Sequence, residues 1–190
     1  QPGGQAGFSF YHGNSTAEVI EEDGATTIIM ADYKTKRGPA EIDLGLFKGW
    51  VEDTAAINTA CGAEDGATAA SGGYATECAG DVPKSAFGFM VTAAVHVPEL
   101  MKMRTTHDFI PYVHFAILRP NDEVGDLATA APEKNYNQLV FGVAYKPIDK
   151  VAVKAGWRIN YYGGTEAAGA QPGDAGTSKT YFDLGLAYEY

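Results

Sequence analysis

The chain has 190 residues, 45% hydrophobic and 12% aromatic, with 23 glycines and a formal charge of −10. Its mean hydropathy is −0.17, and no run comes near the roughly 20 apolar residues that a membrane-crossing helix needs. The acidic balance argues against nucleic acid as a partner, and the abundance of Tyr, Phe and Gly over helix formers leans toward an all-β fold.

Gln1 opens the chain without Met or a signal peptide, which reads as a processed mature form or a fragment, organised as one domain over 1–190. A short, weak segment of alternating polarity at 7–12 is followed by stronger ones at 27–35, 40–50, 87–97, 109–118, 139–145, 151–161 and 182–190. Eight strands result if the weak first one is counted. The last segment is the clearest: Phe182, Leu184, Leu186, Tyr188 and Tyr190 alternate with Asp183, Gly185, Ala187 and Glu189. A strand with one apolar and one polar face needs a sheet whose two sides meet different media.

Connections alternate in length. Short ones at 36–39 and 146–150 carry Gly and Pro turn chemistry, and a moderate one covers 98–107. Long ones span 13–25, 51–85, 119–135 and 163–178. The four long loops hold 16 of the 24 acidic residues and three of the 14 basic ones, so the long-loop end is acidic and the short-turn end mildly basic. The longest loop, 51–85, contains both cysteines. Cys61 and Cys78 lie in a Gly/Ala-rich stretch and are expected to form a disulfide, which fits an oxidising compartment.

Sorting the alternating segments by face places Asp32, Lys34, Glu41, Asp43, His96, His114, Lys154, Arg158, Asp183 and Glu189 on the polar side, interleaved with glycines. Alternation alone does not separate a membrane barrel from a soluble one, which is its inside-out counterpart. Three features favour the membrane form. Glycines on the polar face suit a crowded interior. Aromatic residues collect at strand ends on the apolar face: Trp50, Phe87 and Tyr161 toward the long loops, and Tyr33, Tyr145 and Tyr190 toward the short turns. Such belts form where rings sit at lipid–water interfaces. The loop-length asymmetry has no reason to exist in a soluble barrel. Opposed charges are expected to pair inside, with Lys34 facing Glu41 and Arg158 facing Asp183 in antiparallel register.

These residues resemble the Gram-negative outer-membrane β-barrels of porin type. The resemblance rests on the stretch 136–147 with its Gly142-Val143-Ala144-Tyr145-Lys146-Pro147 turn approach, on 151–158, and on the aromatic C-terminal strand. It implies an antiparallel up-and-down transmembrane β-barrel in the bacterial outer membrane, with short periplasmic turns and long extracellular loops. Implied partners are outer-membrane lipid and lipopolysaccharide, the barrel-assembly machinery through the last strand, and a second copy or an envelope protein. Porins are typically longer, so the chain reads as a small eight-stranded barrel or the C-terminal part of a larger one. The implied activity is passive diffusion of small hydrophilic solutes; a closed barrel with a structural or partner-binding role is the alternative.

The sequence gives little support for catalysis. His12, His96, His107 and His114 lack metal-ligand spacing, and Gly72-Gly73 and Gly163-Gly164 lack the Lys-Ser/Thr of a phosphate loop. No cofactor is expected. The acidic clusters at 21–23, 64–65 and 122–123 match no EF-hand and read as solvated loops, with bridging of divalent ions to lipopolysaccharide as a weak secondary role.

Overall fold

The computed structural model describes residues 3–14, 24–55, 57, 82–123, 135–148, 150–162 and 178–188. Eight strands follow one another in the chain: β1 (Gly3–Asn14), β2 (Ala25–Arg37), β3 (Ala40–Val51), β4 (Ser85–Val95), β5 (Asp108–Glu123), β6 (Tyr136–Ile148), β7 (Val151–Tyr162) and β8 (Ser178–Tyr188). They form one antiparallel sheet in sequence order, each pairing with its chain neighbour. One helical turn, α1 (Val97–Leu100), connects β4 to β5. No described helix is long and apolar enough to cross a membrane, which says nothing of a β-barrel.

The strands run 11 to 16 residues, and all but β4 are longer than the alternating segments that announced them; β4 keeps the length of its segment but starts and ends two residues earlier. β5 departs most, running five residues past the expected end at 118 and carrying Arg119, Asp122 and Glu123 out of the predicted loop. Alternation fades over Arg119-Pro120-Asn121, where the ladder with β4 shifts register after Arg119 and resumes at Glu123 opposite Ser85. The turn between β2 and β3 is built as its sequence demands: Gly38 takes a φ of +56°, a left-handed conformation that glycine adopts without steric cost.

The two faces differ sharply. Residues of six strands, from Lys34 in β2 to Lys154 in β7, line one cavity of about 510 Å³ on the polar face, so the sheet curls toward that side. The buried aliphatic side chains Ile110, Ala116, Ala144 and Ala152 lie on this concave face. Large side chains there are accommodated by glycine on the next strand. A Cβ added to Gly88 would overlap the Phe47 ring, and one added to Gly142 would overlap Tyr112. The convex face carries apolar residues that nothing covers, with Phe8 71%, Trp157 59%, Leu184 72% and Leu186 76% exposed.

The sheet is not closed into a barrel. Among the described residues β1 pairs only with β2 and β8 only with β7, leaving two free edges and β8 exposed along its length. Period-two patterning fixes faces and hairpin order, but closure depends on tilt and stagger, which leave no period-two trace. The closed ring expected from the sequence is therefore corrected to an open, curled sheet.

Candidate functional site

The concave trough gathers most of the chain's described intrastrand charge. Asp32, Lys34, Glu41, Asp43, His114, Lys154, Arg158 and Asp183 all lie on this face, as the ladder registers require. Glu189 lies outside the described residues. Tyr33, Trp50, Phe87, Tyr145 and Tyr161 lie on the convex face near strand ends, and Tyr190 also falls outside the described residues.

The expected charge pairs form, but in a different register. Lys34 stands opposite Asp43 rather than Glu41, and Arg158 opposite Tyr181 rather than Asp183. Each hairpin is shifted by two residues, so the partners meet diagonally: Lys34 Nζ lies 2.9 Å from Glu41 Oε1, and Arg158 Nη2 donates to Asp183 Oδ1 at 3.0 Å. Long side chains span that diagonal easily. A shift of two preserves the face of every residue, which is why the pairing survives the wrong register.

His96 is the residue that strand patterning placed least well. It is not within a strand but sits at the N-cap of α1, where its backbone N–H donates to Pro39 O at 2.8 Å. Its ring is buried between two carboxylates, with Nδ1 2.5 Å from Asp108 Oδ2 and Nε2 3.1 Å from Glu41 Oε2. Lys34, Glu41, His96 and Asp108 thus form one chain of contacts across β2, β3, α1 and β5. Asp108 went unread because it lies at the first position of β5, outside the expected segment. His114, on the trough floor, hydrogen-bonds through Nδ1 with Thr92 Oγ1 at 2.9 Å.

A second cluster, absent from the sequence reading, lies at the long-loop rim. Lys48 forms an ion pair with Asp122, donates to Ser85 Oγ at 3.0 Å, and sits 5.8 Å from the Trp50 ring centroid. The pair reaches from β3 to β5 across β4, so no hairpin pattern could reveal it. Nearby, Arg119 donates to the Tyr136 carbonyl and to Asn137 Oδ1, tying β5 to β6. The cluster turns Asp122 from a solvated loop acid into a rim contact.

No group of three or more His, Cys, Asp or Glu residues among the described ones is arranged to hold a metal ion. Cys61, Cys78 and the acidic clusters at 21–23 and 64–65 lie outside the described residues. No protein-family model matches the chain, and comparison with curated proteins and with solved structures gives no match.

Proposed function

We propose that the chain is a porin-type β-barrel protein of the bacterial outer membrane, with the convex face in hydrocarbon and the concave trough a water-filled path for small hydrophilic solutes. The observation that carries this reading is the inverted amphipathicity of the sheet. Apolar side chains project outward without cover, while charges and glycines face inward. A water-soluble sheet would hide the first set and solvate the second.

Strand dimensions agree with the reading. Every strand reaches or exceeds the about 9–11 residues that cross a bilayer with tilt. On β7, Tyr161 stands eight residues from Val153, the partner of Tyr145. That separation is about 27 Å along a strand, or about 19–22 Å of height at a tilt of about 35–45°, slightly under the apolar band of about 25 Å in outer-membrane barrels. On this reading the rings of Trp50 and Tyr161 mark one interface and those of Tyr33 and Tyr145 the other. The free edges of β1 and β8 must then be covered, since an unpaired backbone group in hydrocarbon costs several kcal/mol. An even strand count makes these two edges run antiparallel, so they suit each other or intervening strands.

A second reading draws on Phe47, Met90 and Tyr112, which lie over glycines on the concave face and narrow it. If they plug the interior, the protein is a structural envelope barrel and its charges form a sealed core. Osmotic swelling of vesicles carrying the folded protein separates the two. Swelling in small sugars is expected for the passage. Insertion without swelling selects the sealed barrel, and a folded species soluble without detergent overturns both.

A further inference from the structure

The ion pairs of the trough leave a remainder, and the remainder is ordered. Lys34 is engaged by Glu41, whose second oxygen meets His96, which in turn meets Asp108. Three charged residues of the same cavity, Asp43 on β3, Lys146 on β6 and Lys154 on β7, make no ion pair or side-chain hydrogen bond among the described residues. Asp43 stands on one wall, opposite Lys34 in the ladder and in electrostatic contact with it and with His114, and the two ammonium groups stand on the other. Between them run β4 and β5, whose contribution to the cavity includes the neutral hydrogen-bonding groups of Thr92, Tyr112 and His114.

We propose that this cavity takes a small zwitterionic solute, of the size and charge layout of an α-amino acid or dipeptide. Its ammonium group is directed to Asp43 and its carboxylate to Lys146 and Lys154. The inference rests on the trough being a water-filled passage and names what that passage favours. A simple anion would gain at the lysine wall and be repelled at Asp43, and a simple cation would meet the reverse. Only a molecule carrying both signs gains at both walls. Neighbouring strands are about 4.8 Å apart, so β3 and β6 are separated by about 14 Å of arc, and curvature shortens the direct span. The side chains reaching in from each wall reduce that to the scale of a small molecule. A volume of about 510 Å³ falls within the roughly 300–1,000 Å³ usual for ligand pockets.

The test compares L-glutamine with a pentose in vesicle swelling, using wild type, Asp43→Asn and the double variant Lys146→Gln/Lys154→Gln. These residues lie outside the buried His96 network, so the variants are expected to fold and insert. Wild type should favour glutamine about threefold or more, the fold-change that two solvent-exposed ion pairs give together. Each variant should reduce the preference for glutamine over the pentose toward unity. Equal rates for both solutes in wild type would overturn the proposal and leave the passage standing. No swelling with either solute would overturn the passage itself. In that case calorimetric titration of L-glutamine into detergent-folded protein decides the site: binding weakened in the variants upholds it, and no binding by wild type removes it.

Discussion

Trp157 and Arg158 are adjacent in β7 and live in opposite worlds. The Trp157 ring stands on the convex face, 59% exposed and touching Phe182 edge-on at 5.3 Å. The Arg158 guanidinium turns into the trough, where it pairs with Asp183 and lies 5.0 Å from the Tyr181 ring. One peptide bond separates an apolar surface with nothing over it from a polar surface that other groups cover. The lesson is that the solvent relation of this sheet, rather than its strand content, carries the information about function. Any reversal of the usual arrangement must be held in place by the medium outside.

The sharpest way to break the comparison is Trp157→Arg. In phospholipid vesicles it should destabilise the folded protein by about 2–4 kcal/mol, as a basic residue near a bilayer midplane does. Urea titration in vesicles reads this, and a change below about 0.5 kcal/mol, the level of an ordinary surface substitution, would place the convex face in water.

A smaller effect is expected inside. Gly88→Val pushes a side chain into the Phe47 ring and should cost about 1–3 kcal/mol, as overpacking does. Adding Phe47→Ala should recover part of the loss, and strict additivity of the two substitutions would refute the contact.

His96→Ala removes the ring that bridges Glu41 and Asp108. A loss of about 1–3 kcal/mol is expected from under-satisfied carboxylates, with Lys34 still holding Glu41. The same titration measures it, and a neutral result would mean that the network does not join β3 to β5.

Arg158→Gln should be mildest. The two partners are 36% and 48% exposed, so about 0.2–1 kcal/mol is at stake. That increment should vanish in about 1 M salt, where the screening length is near 3 Å. A salt-insensitive loss would point to a drier trough than described.

Much of this contrast was legible in the sequence. Alternation at Phe182, Leu184, Leu186 and Tyr188 assigned the faces of residues 182–188 in β8, and the same reading placed Lys34, Asp43, His114 and Lys154 together. What it missed has physical causes. Register within a hairpin depends on turn geometry, and a slip of two is invisible to a period of two, so Lys34 and Arg158 found their partners on the diagonal. The Lys48–Asp122 pair skips a strand, and pairs between non-neighbours have no local signature. His96 follows the last residue of β4, where the strand gives way to a helical turn and alternation stops being a guide. Closure was beyond reach because stagger is a property of the assembled sheet.

The unbroken order of the ladder, β1 through β8 with each strand beside its chain neighbour, has a kinetic side. Each pairing joins segments that are consecutive in the chain, and even the widest gap between them costs only about 0.6 kcal/mol for each doubling of loop length. Contact order in the described sheet is therefore low for an all-β protein, and hairpins can be added one after another without waiting for distant segments to meet. On the proposed barrel reading, the single non-local event left is whatever joins the outer edges of β1 and β8. Until then both edges present open backbone to any strand they encounter. The hazard for this chain is thus concentrated in one late step, and the yield of folding should depend on how soon those edges are capped rather than on how fast the hairpins form.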